Sequence, residues 1–88
     1  MELLTEKYGL PKRIKLEEIN RSTIAIVKLI KSRIIQKDAK KIIEIAEQIK
    51  SVDKSITVKL ISTENVCSKS KALFADNNIE IIYREIQN

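Results

Sequence analysis

An 88-residue chain with 43% hydrophobic and 33% charged residues has room for one core, and a domain of this size buries only about two-thirds of its unfolded surface. Seventeen Lys+Arg against twelve Asp+Glu give a formal charge of +5, an excess that suits a polyanionic partner. The absence of histidine and the single cysteine, Cys67, exclude an internal disulfide, an ordinary zinc site and an imidazole base working at neutral pH.

The charge is unevenly placed. Residues 1–41 carry eleven Lys+Arg and five Asp+Glu, a balance of +6, whereas 42–88 carry six and seven, a balance of −1. An anionic partner is therefore expected to meet the N-terminal half. The longest apolar run, Ile24-Ala25-Ile26-Val27, is far too short to span a bilayer, and the N-terminus has no apolar signal core. The expectation is an intracellular, cytoplasmic protein with no membrane partner. Heavy use of Lys, Ile and Glu suits a thermophile, with the Asn and Gln content weighing against it.

In chain order, Glu2 to Tyr8 suits a helical turn or two that Gly9 ends, and Pro11 then forces an extended approach. From Lys12 the pattern alternates, Ile14 and Leu16 on one face and Arg13, Lys15 and Glu17 on the other, as in a half-buried strand. Asn20-Arg21-Ser22 makes a hairpin turn. Thr23 to Ile30 is rich in β-branched residues, its apolar run interrupted only by Lys28, and is expected to be an interior strand covered on both faces. Lys37 to Lys50 changes period: Ala39, Ile42, Ile43, Ala46 and Ile49 recur at three and four, with Ile45 at the margin, so a helix lays that face on the core. Asp38 near its start suits the helix dipole. Ser51 to Ser55 leads into Ile56 to Ser62, the central strand. Val66 to Asn77 then forms a second helix, with Val66, Cys67, Ser70, Leu73 and Phe74 on one face, and Asn77-Asn78 stops it before a last strand, Ile79 to Tyr83.

These elements predict one domain over residues 1–88, of α/β class with α+β as the alternative: an N-terminal strand hairpin followed by βαβαβ, in a mixed sheet with two packed helices. Ile24, Ile26, Val58, Leu60, Ile79 and Ile81 are expected in adjacent core strands. Ile42, Ala46 and Ile49 from the first helix, and Leu73 and Phe74 from the second, should cover them.

The run from Val58 through Ser62-Thr63-Glu64-Asn65 to Ala75, leading to Asn78-Ile79-Glu80-Ile81-Ile82-Tyr83-Arg84-Glu85, resembles the C-terminal part of Mrr-type restriction endonucleases, of the PD-(D/E)xK superfamily. There a strand ending in small polar residues is followed by an alanine-bearing helix and an "I-E-L-I-D" type strand. The resemblance implies that Thr23 to Ile30 stands where that family carries its catalytic strand and Lys37 to Lys50 where its core helix lies. It also implies an active site pairing an acidic residue with a Glu/Gln-x-Lys element around Mg²⁺. Placing Lys28 as that lysine puts Ile26 where the carboxylate belongs. Glu17 or Glu18 alone would hold a divalent cation poorly. The expectation is a truncated, nuclease-like domain without a complete active site: no catalytic residue, no metal and no cofactor.

Plainer readings stand beside these. Lys28 is a snorkelling lysine in an apolar strand, Glu17-Glu18 a solvated strand end, and Cys67, about two residues into a helix, a small core-facing hydrophobe rather than a reactive thiol. Ser62, Thr63 and Asn65 precede a helix N-terminus at the carboxyl end of a strand, where phosphate is seated in many open sheets. Helix capping explains the same residue types. Lys12, Arg13, Lys15 and Arg21, with Lys31, Arg33 and Lys37, form a basic set suited to tracking phosphates without reading bases. Tyr8, Phe74 and Tyr83 are the whole aromatic stock, which argues against binding single strands by base stacking.

Three functions remain open at this point. One is a non-catalytic accessory module of a DNA-processing assembly in replication, repair or recombination, contacting a larger protein such as a polymerase or nuclease and the DNA backbone. The second is a divergent Mg-dependent endonuclease completed by a carboxylate from elsewhere. The third is a purely structural protein-interaction subunit. A homodimer is a further candidate assembly.

Overall fold

The computed structural model describes residues 4–86. The fold is α+β: a strand hairpin whose second strand opens a βαβαβ unit, giving a four-stranded mixed sheet in the order β1-β2-β3-β4. The strands are β1 (Lys15–Asn20), β2 (Thr23–Lys28), β3 (Thr57–Ser62) and β4 (Glu80–Tyr83). The helices are α1 (Leu4–Lys7), α2 (Gln36–Val52) and α3 (Ser68–Asp76). β1 pairs with β2 antiparallel, whereas β2 with β3 and β3 with β4 are parallel.

Parallel neighbours in sequence order need two crossovers that both step the same way, and right-handed crossovers then place both helices on one face of the sheet. α2 and α3 touch each other accordingly. The core lies between them and that face: Ile24 and Ile26 of β2, Val58 and Leu60 of β3, Ile79 before β4, then Ile42, Ala46 and Ile49 of α2 and Phe74 of α3, all buried. Ile45, Leu73 and Ile81 pack at its margin. The expected core is the observed one, because a 3.6 period and a period of two each leave one unambiguous apolar face.

α1 ends as its sequence suggests. Gly9 sits at φ +67°, and the amides of Gly9 and Leu10 return to the carbonyls of Glu6 (3.2 Å) and Thr5 (2.8 Å), a Schellman closure. Of the expected Glu2–Tyr8 helix, Glu2 and Leu3 lie outside the described residues. Asn78 closes α3 in the same manner at φ 58°, with Asn78 N–H on Ala75 O (3.1 Å) and Ile79 N–H on Phe74 O (2.8 Å).

Three local expectations are corrected. β1 starts at Lys15 rather than Lys12, because Ile14 N–H bonds Pro11 O (3.1 Å) and closes a turn first. α3 starts at Ser68 rather than Val66, because Val66 pairs in a parallel bridge with Ile34. β2 is interior but has a helix layer on one face only. On the other face Glu17, Ala25, Lys59 and Glu80 form one cross-strand row and Lys15, Val27, Ile61 and Ile82 the next. An ion pair from Arg84 Nη1 to Glu17 Oε2 (2.9 Å) runs from one edge of the sheet to the other across this face, on which Ala25 and Ile61 are fully buried. Lys59 and Glu80 pair beside it at 3.3 Å.

Candidate nucleic-acid interface

The topology sorts the candidate cations by the end of the sheet at which they lie. β1 is antiparallel to β2, so its start lies beside the end of β2, with Lys15 opposite Val27. Arg13 and Lys12 in the preceding turn, Lys31 and Arg33 in the β2–α2 loop and Lys37 in the first turn of α2 therefore gather at the carboxyl end of the parallel strands. Both crossover helices begin there, adding the partial positive charge of their N-termini. Arg21 does not join them. It occupies the β1–β2 turn at the opposite end, about 20 Å away by the length of a six-residue strand.

Three further cations at this end were not among the phosphate contacts expected from the sequence. Lys28 ends β2 and Lys41 lies one turn into α2, and both line a cleft of about 790 Å³ with Arg13 and Lys15. Its apolar wall includes Leu10, Ile14, Ile42 and Ile45. The signal for Lys41 was its i+4 spacing from Lys37, which puts both on one side of the helix end nearest the strand termini. The third is Arg84, which lines a second cleft of about 600 Å³ with Lys31, Thr63 and Tyr83. Arg84 is committed to Glu17.

The polar loop proposed to seat phosphate is bonded within itself. Ser62 is fully buried and its hydroxyl donates to Thr63 O (3.0 Å). Thr63 Oγ1 accepts the Asn65 amide (3.3 Å). The Asn65 side chain ties two loops together, donating from Nδ2 to Lys31 O (3.4 Å) and accepting from Arg33 Nε at Oδ1 (3.3 Å). The cap of α3 is Cys67, whose Sγ accepts from Ser70 N–H (3.4 Å). This corrects the placing of Cys67 inside the helix as a core-facing hydrophobe. It is partly exposed, and a hydrogen bond with the Ser70 hydroxyl and one from the Ser70 amide, with a smaller contribution from the Arg33 charge, hold its thiol below the usual cysteine range.

At the nuclease-like position, Ile26 is 2% exposed within the core, and Glu17, on the other face of the sheet, is engaged by Arg84. Among the described residues no group of three His, Cys, Asp or Glu side chains is placed to hold a metal ion, and no helix is long and apolar enough to cross a membrane. Tyr8 and Phe74 are buried, leaving Tyr83 as the half-exposed ring, with Lys71 Nζ 5.8 Å from its centroid. What this end of the molecule offers is point charges for phosphates rather than a stacking platform.

No family model matches the chain, and neither the curated proteins nor the solved structures contain a significant match; nothing in these comparisons identifies an Mrr-like nuclease fold.

Proposed function

We propose that this chain is a non-catalytic accessory module of a DNA-processing assembly, which seats backbone phosphates on the carboxyl end of its sheet and contacts a larger protein partner. The observation that carries this reading is the gathering of Lys12, Arg13, Lys15, Lys28, Lys31 and Lys37 at one end of the molecule, where two helix N-termini also point. None of these six makes an ion pair among the described residues. Surface cations that are not neutralised internally are free to replace the counterions of a phosphate backbone. The burial of Ile26 speaks against the endonuclease reading, because an isoleucine offers no metal ligand. The half-exposed Ile19 and Tyr83, one in each edge strand, suit the protein contact.

The test is anisotropy titration of a short labelled DNA duplex at low salt with two charge-reversal variants. Arg13→Glu with Lys15→Glu should weaken binding by at least about tenfold. Arg21→Glu with Lys54→Glu, at the opposite end, should leave it near the parent value. Equal effects of the two variants, or no binding by the parent chain, would defeat the proposal.

A further inference from the structure

We infer that the 790 Å³ cleft between residues 9–15, the end of β2 and α2 binds a phosphomonoester carried on a compact body with an apolar face, of which a nucleoside monophosphate, free or at the phosphorylated end of a strand, is the type. The inference rests on the phosphate-binding reading above and narrows it to one ligand class and one site.

Charge is the first argument. Arg13, Lys28 and Lys41 line the cleft against Asp38 and Glu44, three positive charges less two negative, or +1, since Lys15 stands in the cross-strand row of the sheet's other face. A phosphomonoester carries about −1.5 to −2 at neutral pH, opposite in sign to the lining. None of these three cations has an ion-pair partner among the described residues. Asp38 is turned to a structural task, accepting the Ile35 amide at the start of α2 (3.2 Å). In the second cleft Lys31 and Arg84 face Glu64 and Glu85, a balance of zero, and Arg84 is already spent on Glu17.

Shape is the second. The volume lies within the roughly 300–1,000 Å³ of small-molecule sites. Leu10, Ile14, Ile42 and Ile45 give the cleft an apolar side that a bare anion would leave unused, and such walls strengthen the attraction between the cations and a bound phosphate. The third argument is that the cleft is held open by bonds of its own. Gln48 Nε2 donates to Tyr8 O (3.0 Å), tying the 8–10 segment to α2, and the turn closed by Ile14 N–H on Pro11 O (3.1 Å) fixes the next wall. A preformed site spares the ordering cost of binding.

The experiment is an amide-resolved NMR titration of the full chain with deoxyadenosine monophosphate, deoxyadenosine and inorganic phosphate in parallel. The monophosphate should give saturable shifts at Lys15, Lys28, Lys41, Ile42 and Ile45 and leave Thr63 and Glu85 unmoved. The nucleoside and inorganic phosphate should each bind at least about tenfold more weakly, since each keeps half of the contacts. Lys28→Gln and Lys41→Gln, whose fold the same spectra verify, should each weaken the monophosphate about tenfold, and Lys54→Gln should not. A 5′-phosphorylated oligonucleotide that outcompetes its 5′-hydroxyl twin assigns the site to strand ends; equal competition assigns it to free nucleotide. Shifts spread over all surface cations, nucleoside binding equal to nucleotide binding, or no saturation would overturn the inference. If the duplex still binds when the monophosphate fails, the cleft assignment alone falls. If the monophosphate binds where the duplex does not, the accessory-module reading falls and the cleft stands.

Discussion

Tyr8 is 1% exposed and its hydroxyl has no hydrogen-bond partner among the described residues. A buried, unpaired hydroxyl costs about 1–3 kcal/mol, so Tyr8→Phe should hold or raise the melting temperature. A fall of more than about 4 °C, roughly 1 kcal/mol in a domain of this size, would show that the hydroxyl is satisfied. At Cys67 the hydrogen bonds from Ser70 favour the thiolate, so its alkylation rate should titrate at a lower pH in the folded chain than in the chain unfolded by denaturant. The reverse order would remove the cap. The Ser55 hydroxyl and amide hold the Asp53 carboxyl down in the same way (2.6 and 3.0 Å). For both groups the folded pKa lies below the unfolded one, so their contribution to stability is complete above the unfolded value and is lost as pH falls through the folded one. Neither role was legible from residue type. Ser62, Thr63 and Asn65 are the better caps by residue type, and what selects Cys67 is the pairing of Val66 with Ile34, a contact between segments far apart in sequence.

At the level of elements, α2 could be read directly, because five buried residues at helical spacing admit only one face. The end of α3 was equally legible, since asparagine tolerates the left-handed conformation that a Schellman closure needs. Asn78→Gly should leave the urea midpoint nearly unchanged, whereas Asn78→Val should cost about 1–2 kcal/mol; equal midpoints would mean that residue 78 is not held at positive φ. Phe74 is fully buried between α3 and the sheet, and Phe74→Ala should cost about 3–5 kcal/mol. A loss under about 1 kcal/mol would misplace the face of α3. The uncovered side of β2 was not legible. Its apolar run, rich in β-branched residues, looks like a strand between two helix layers, whereas the second face carries no helix and is crossed by an ion pair joining residues 67 positions apart. With both side chains over two-fifths exposed, that pair contributes about 0.2–1 kcal/mol.

Across the whole molecule, the excess of positive charge in residues 1–41 was visible in the sequence, but its position in space depends on the crossovers. They bring Lys28 and Lys41 to the same end as Arg13 and Lys15, and the hairpin turn carries Arg21 away. The account therefore makes charge position, rather than net charge, decide binding. The direct test is the salt dependence of duplex binding by the parent chain, Arg13→Ala and Arg21→Ala, variants of equal net charge at opposite ends of the sheet. If about four phosphates are neutralised, log affinity should fall with log salt at a slope of about −3 to −4. Arg13→Ala should flatten that slope by about one unit, and Arg21→Ala should leave it unchanged. A slope near zero in the parent chain, or the same flattening from both variants, would contradict the account.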